Sequence, residues 1–158
     1  MIILDVEASG LHEDSYPIQI AWINTDTGEE DSFYIKPEED WTYWDINAED
    51  IHNIPRKLLD DVGLPVDLAV KRLITGIGKD VDIFTDAPDF DGFWLGRLFN
   101  SVLMDQEVKI RLHTVYEVCK YQEDFYSLQE IMHNQVRPHD ALEDCRMIWD
   151  AVKQFIEE

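Results

Sequence analysis

The amino-acid sequence predicts an α/β fold in which helices flank a mixed five-stranded sheet. Three β-like runs open the chain, and strand and helix patterns alternate after them. This order is typical of a mixed sheet with helices packed on it. The 158 residues, 45% of them hydrophobic, are sufficient for one core. We therefore expect a single domain over residues 1–158.

The first predicted strand lies within residues 2–10 and carries two carboxylates in an apolar run. Because side chains alternate across a strand, Asp5 and Glu7 leave it on the same face. Acidic groups in a hydrophobic strand destabilise the fold unless a positive charge compensates them. A hard divalent cation, which binds oxygen ligands, would do so. The alternative is a strand that ends at Leu4, with both acids facing water.

Two further strands are predicted at residues 16–23 and 31–36. The turn-rich segment 24–28 between them is typical of an antiparallel hairpin. With the first strand they form a meander. The aromatic segment 41–45 is interpreted as packing over the edge of the core, and stacking of nucleic-acid bases is the alternative.

A short helix is predicted over residues 47–54, because the proline that follows ends it. We interpret His52 within this helix as structural. Hydrophobic periodicity predicts the remaining elements. These are a helix at 65–74, a strand at 81–84, a helix from near 89 to about 102, a strand at 108–110, helical stretches at 114–121 and 127–133, and a closing helix from about 140 to the C-terminus.

A second acidic position lies in the helix that begins near residue 89. Apolar residues at helical spacing from Leu95 to Val102 form its buried stripe, and Asp91 lies on that stripe four residues before Leu95. Asp89 points to the opposite side, and Asp86 precedes the helix as a possible N-cap. We select Asp91 as the functional acid, with Asp86 as second choice. Alternatively, the first turn is acidic only because of the helix dipole.

The closing helix begins with a capping pattern, Asp140 followed three residues later by Glu143. This places His139 just outside the helix, over a cleft, and turns Asp144 partly toward the core. Glu143 is assigned to capping. The alternative for His139 is an ordinary surface position.

The net charge of −21 argues against a protein that clamps a long duplex, which needs a basic surface. It does not exclude a nucleic-acid substrate, since a bound metal supplies positive charge locally. Cys119 and Cys145 form neither a disulfide framework nor a metal motif. No run resembles a transmembrane span or a signal peptide. We therefore expect a cytoplasmic, reduced protein that does not contact a membrane.

Three segments together resemble the exonuclease motifs of the DEDDh family, which includes oligoribonuclease, ribonuclease T and the proofreading subunit of bacterial replicative polymerases. The segments are Asp5-Val6-Glu7, Phe90-Asp91 and the run from His139 to Asp144. Segment 51–54 also resembles a recurrent family segment. Order and spacing match across nearly the whole chain. Ala8 departs from the usual threonine, and segment 85–88 lacks the usual histidine or asparagine. These positions lie near the terminal nucleotide in the family.

The resemblance implies a ribonuclease-H-like fold and a two-metal site. Two Mg²⁺ or Mn²⁺ ions would be held by Asp5, Glu7, Asp91 and Asp144. His139 would accept the proton of the attacking water, a role that suits an imidazole. The 3′-terminal nucleotide would contact main-chain groups of Ala8 and Ser9 and the side chain of Leu11. Arg137 is a candidate phosphate contact.

The function implied is hydrolysis of single-stranded or short nucleic acids from the 3′ end, with release of nucleoside 5′-monophosphates. One alternative is a nucleic-acid-binding or adaptor domain that keeps the fold with weak catalysis. Another is an acidic structural domain that acts through a protein partner. The choice between DNA and RNA stays open at this point. Several members of the resembled family are dimers, so a homodimer is possible as well.

Overall fold

The chain folds as one mixed sheet with helices on both faces, in a computed structural model that describes residues 1–156. The strands are β1 (Ile2–Ala8), β2 (Pro17–Asn24), β3 (Glu30–Tyr34), β4 (Asp80–Thr85) and β5 (Lys109–Thr114). Their order across the sheet is β3-β2-β1-β4-β5. β1, β2 and β3 pair antiparallel as the predicted meander, and β4 and β5 join parallel to β1. The predicted mixed five-stranded sheet is confirmed.

The helices connect and cover the strands. They are α1 (Ile46–His52), α2 (Arg56–Val62), α3 (Val66–Ile77), α4 (Pro88–Asn100), α5 (Gln122–Asn134) and α6 (Ala141–Val152), with 3₁₀ turns at Val115–Val118 and Lys153–Phe155. Because helices cover both faces, the central strand β1 is buried along almost its whole length. None of the helices in the described chain is both long and apolar enough to cross a membrane.

Two hydrophobic cores lie on opposite faces of β1. Leu4 and Val6 belong to the core beneath α3 and α4, whereas Ile3 packs with Cys145 and Ile148 of α6. This alternation follows from the two-residue period of a strand. Since Asp5 and Glu7 share the parity of Ile3, they lie on the α6 side. The predicted common face of the two acids is therefore confirmed, and the alternative of a strand that ends at Leu4 is wrong.

Several predicted elements have different bounds in the structure. The last strand, β5, extends to Thr114, and the helical stretch predicted at 114–121 is only the 3₁₀ turn Val115–Val118. No element was predicted at Arg56–Val62, which is helix α2. Pro55 occupies its N-cap position. The predicted helix 47–54 is α1, which ends earlier, at His52, with Asn53 as a left-handed C-cap. The closing helix α6 ends at Val152 and is followed by the 3₁₀ turn Lys153–Phe155, so the prediction of a helix to the C-terminus is wrong for residues 153–156. Its last two positions, 157 and 158, lie outside the described residues.

Candidate active site

The site lies where β1 and β4 run side by side toward their carboxyl ends. The two strands are parallel, with Ile3 paired to Phe84. Continued two residues past this pair, the register brings Asp5 level with Asp86, the residue that follows β4. The N-termini of α4 and α6 meet the same edge and bring the acidic side chains of their first turns. Sheet register and two helix starts thus assemble the site.

Six side chains converge there in two groups. One carboxylate oxygen from each of Asp5, Asp86 and Asp91 lies within 4.8 Å of the other two. In the second group, ligand atoms of Glu7, His139 and Asp144 satisfy the same limit. The structure therefore brings together all five residues that the sequence analysis named as catalytic. It adds Asp86, the second choice for the helix acid.

Burial separates the carboxylates from the histidine. Asp5, Asp91 and Asp144 are 7%, 2% and 3% exposed, whereas Glu7 is half-buried and His139 is exposed. Oδ2 of Asp5 and Oδ1 of Asp144 are buried without a hydrogen-bond partner in the described chain. Buried polar atoms are normally paired, and these two oxygens are available as ligands to a cation. Oxygen donors of this kind bind hard divalent cations.

The electrostatics of the site oppose ionisation of its acids. Burial raises the pKa of Asp5 well above its ordinary value, and the charges of Asp91 and Glu7 raise it further. Burial, followed by the charge of Asp144, raises the pKa of Glu7 to about 8. Burial likewise raises the pKa of Asp91 to about 8, against the lowering effect of a hydrogen bond from Thr85. A divalent cation would reverse these effects, because its charge favours the ionised carboxylates.

The sequence analysis missed two hydrogen-bonding residues: Thr85, which holds one of the site acids, and Gln19, which holds the start of α6. The Thr85 hydroxyl donates to Oδ2 of Asp91 and accepts from the main-chain N–H of Ala87. Gln19, a buried polar residue in the apolar run of β2, donates to Oδ2 of Asp140 at 3.1 Å and accepts from the N–H of Ala141 at 3.1 Å. The sequence does contain a signal for Gln19, because it is a polar residue among the hydrophobic neighbours of a buried strand.

The start of α6 follows the prediction in part. Asp140 is the N-cap, and its side chain accepts the N–H of Glu143 at 3.2 Å. The Glu143 side chain pairs with Arg146 on the next turn, so its assignment to capping is wrong. His139 precedes the cap with a backbone φ of 56°, a left-handed conformation that is uncommon for residues other than glycine. A ring nitrogen of His139 lies with the carboxylates of Glu7 and Asp144.

Asp86 does not cap α4. The N-cap of that helix is Ala87, which lacks a side-chain cap bond. The Asp86 carboxylate instead accepts a hydrogen bond from the guanidinium of Arg137. Within residues 1–156, the arginine ion pairs include Asp86 but not Asp5, Glu7 or Asp91. Those three acids therefore have no arginine to compensate them.

The loop after β1 contains the predicted nucleotide contacts. Ala8 and Ser9 are buried, and Leu11 is 72% exposed. The N–H of Ser9 donates to Tyr16 at 3.0 Å, and its carbonyl accepts from Asp45 at 2.9 Å. These bonds fix the loop against the segment that precedes α1. Leu11 is the side chain of the three that projects into solvent.

The aromatic segment packs as the sequence analysis favoured. Trp41 is buried and stacks on Tyr16, with ring centroids 5.4 Å apart. His52 is buried with an edge contact to Trp44, and its Nδ1 accepts the N–H of Ile54 at 3.0 Å. These contacts fit the structural interpretation of His52. Burial, followed by the charge of His139, lowers the pKa of His52.

Comparison with known families identifies the family of the chain. The RNase T family model, described as exonuclease, matches residues 2–152. The chain belongs to this exonuclease family. The resemblance to the DEDDh exonucleases is thereby confirmed. Among curated proteins, no sequence matches the chain.

Solved structures of this exonuclease fold resemble the chain closely in shape and weakly in sequence. E. coli Exonuclease I in complex with a dT13 oligonucleotide has a TM-score of 0.77 and 18% identity, over 97% of this chain and 40% of that one. Exonuclease I of Methylocaldum szegediense has a TM-score of 0.73 and 17% identity, over 97% and 40%. The chain thus spans about 40% of the length of these neighbours. At such identity the likeness shows the fold, which is ribonuclease-H-like as the resemblance implied.

Proposed function

We propose that the chain is a metal-dependent 3′–5′ exonuclease that hydrolyses single-stranded or short nucleic acids and releases nucleoside 5′-monophosphates. The observation that carries the proposal is the pair of buried, unpartnered oxygens, Oδ2 of Asp5 and Oδ1 of Asp144, within the two carboxylate groups. Family membership supports hydrolysis of phosphodiester bonds. An Exonuclease I structure with bound single-stranded DNA supports the choice of substrate.

The residues of the site fit divalent cations. Asp5, Glu7, Asp91 and Asp144 offer oxygen donors, which suit Mg²⁺ and Mn²⁺. When bound, such ions would supply Lewis-acid stabilisation of the phosphoryl and leaving oxygens and a more acidic water. Their charge would also stabilise the ionised form of the carboxylates, which burial opposes.

The side chains of the protein have distinct roles in this proposal. His139, exposed at the rim beside Glu7, accepts the proton of the attacking water. Thr85 orients the carboxylate of Asp91 by its hydrogen bond. The exposed Leu11 packs against the terminal nucleotide, and the main chain of Ala8 and Ser9 forms the floor beneath it. These roles place the 3′ end of a strand at the carboxyl end of β1.

The charge of the chain supports a short or single-stranded substrate. A net charge of −21 repels a long phosphate backbone, whereas a terminal nucleotide needs few backbone contacts. The single domain over residues 1–158, the homodimer and the cytoplasmic location stay predictions.

The test uses matched 5′-labelled DNA and RNA oligonucleotides incubated with Mn²⁺, with Mg²⁺ or with chelator. We expect a ladder that shortens from the 3′ end, requires metal and is absent for Asp5→Ala. The sugar preference is read from the two substrates. Melting temperature measured with and without Mn²⁺ reports metal binding separately.

Each result has a defined meaning. Cleavage that is unaffected by chelator would contradict the metal-dependent proposal. Metal stabilisation of the fold without cleavage of any oligonucleotide would favour the nucleic-acid-binding or adaptor alternative. Neither cleavage nor a metal effect on melting would leave the acidic structural domain as the better hypothesis.

A further inference from the structure

Arg137 connects two parts of the site that are far apart in sequence. Its Nη1 donates to Oδ2 of Asp86, a residue 51 positions away at the end of β4. Its Nε lies 3.3 Å from Oε1 of Gln135, and Nη2 lies 3.6 Å from the sulfur of Met132. The side chains of Arg137 and Asp86 are 14% and 23% exposed. This ion pair is therefore largely shielded from water. Salt screens such a shielded pair less than it screens an exposed one.

The segment that Arg137 anchors carries His139. The left-handed backbone of His139 is unfavourable for a residue with a side chain, so its surroundings must hold it. Gln135 ties the start of the segment to the carbonyl of Met147 at 2.7 Å. Asp140 ties its end to Gln19 of β2. Arg137 supplies the middle anchor, and it is the one that reaches β4.

Asp86 lies close enough to Asp5 and Asp91 to be considered a metal ligand. Its environment differs from theirs, because the guanidinium of Arg137 already neutralises it. Asp5 and Asp144 instead have oxygens without partners. Asp86 therefore has a cationic partner within the described chain, whereas Asp5 has none.

We infer that Arg137 and Asp86 form a positioning link that holds His139 against Glu7 and Asp144, and that Asp86 is not a metal ligand. The inference rests on the proposed exonuclease activity. In this inference the partner of Arg137 is Asp86, the residue after β4, and not a substrate phosphate. Misplacement of a catalytic group by about 1 Å costs on the order of 100-fold in rate, so the link should act on turnover.

The experiment compares Arg137→Gln, Asp86→Asn and the double variant, with the oligonucleotide that the wild-type protein degrades. Each single variant is expected to lower kcat by about 10–100-fold with KM little changed. The double variant should be no slower than the worse single variant, because both changes remove one link. Arg137→Lys, which keeps the charge, should recover part of kcat.

Arg72→Gln is the matched control. Arg72 also pairs with an aspartate, Asp31, across two elements, but that pair lies on β3 and α3 away from the site. Arg72 is 45% exposed and Asp31 26%. Because this pair contacts none of the site residues, its loss should leave kcat within about two-fold of wild type. A comparable loss of kcat in this control would show a general effect of ion pairs on the fold and overturn the inference.

Metal binding is read from melting temperature with and without Mn²⁺. Asp86→Asn should keep the stabilisation by Mn²⁺, whereas Asp91→Asn should lose most of it. Loss of the Mn²⁺ effect in Asp86→Asn would make Asp86 a ligand and overturn the inference. A rise in KM with kcat unchanged in Arg137→Gln would make Arg137 a phosphate contact, with the same consequence.

Failure of the proposed function is distinguishable from failure of the link. If the wild-type protein cleaves no oligonucleotide, the proposed function fails by itself. The link is then tested by urea unfolding in chelator, where the two single variants should lose stability and the double variant should lose no more. Additive losses in that cycle would mean that Arg137 and Asp86 do not act together.

Discussion

The two ends of β4 show opposite treatments of acidic side chains. At its start, Asp80 and Asp82 both accept hydrogen bonds from Arg111 on β5, at 2.6 and 2.8 Å. These bonds, with one from His113, lower the pKa of Asp82 to about 2. Beyond the other end of the strand, in the first turn of α4, burial raises the pKa of Asp91 to about 8. The same residue type thus ionises readily at one end and resists ionisation at the other.

The difference shows that the placement of arginine side chains, more than the number of acids, distinguishes the candidate site. The 34 acidic residues outnumber the 13 basic ones, so an acidic cluster alone means little. What distinguishes the carboxyl end of β1 is that Asp5 and Asp144 are buried with unpartnered oxygens. Asp5 also has no arginine ion pair in the described chain, so a bound external cation would compensate its charge.

The largest expected effect comes from Asp5→Asn. Loss of this ligand should lower kcat by about 1,000-fold or more, since metal ions supply several kcal/mol of transition-state stabilisation. The metal-free variant should melt at a higher temperature than wild type, because a buried acid has been replaced by a neutral amide. Asp82→Asn at the other end of β4 should keep its activity. Equal losses in both variants would contradict the comparison.

His139→Ala should lower kcat by about 100-fold, the lower end of the range for a general base. Stabilisation by Mn²⁺ should persist, because the four carboxylates remain. Initial rates and melting curves on one preparation measure both quantities. A variant that loses metal binding as well would show that His139 is chiefly a ligand.

Thr85→Val removes the hydroxyl that donates to Asp91 while keeping the shape of the side chain. We expect kcat/KM to fall by about 10-fold, since hydrogen bonds to charged groups contribute about 1.5–3 kcal/mol. Thr85→Ser, which retains the hydroxyl, should restore most of it. Unchanged kinetics in the valine variant would show that Asp91 needs no support from β4.

The last prediction concerns stability and not turnover: it is the pH dependence of metal-free stability. Glu7 and Asp91 have raised pKa values of about 8 in the folded state, so between about pH 4 and 8 the folded chain binds more protons than the unfolded chain. Stability in chelator should therefore be highest below the unfolded values and fall as pH rises to 8. Melting temperature against pH measures this slope. Glu7→Gln should flatten it, and a wild-type slope of opposite sign would refute the raised values.

Local patterns in the sequence determined much of the fold and most of the site. The two-residue period of β1 placed Asp5 and Glu7 on one face, and helical spacing placed Asp91 on the buried stripe of α4. The cap at Asp140 located His139 at the start of α6. These features depend on residues within a few positions of one another, and so a single sequence contains them.

The tertiary structure alone decided which of these residues meet. Asp86 joins Asp5 because β1 and β4 pair in parallel with one particular register. Arg137 reaches Asp86, and Gln19 reaches Asp140, across separations of 51 and 121 residues. Helix α2 was missed for a related reason, since packing holds that short helix. Contacts over such distances depend on strand order and register, which local periodicity does not specify.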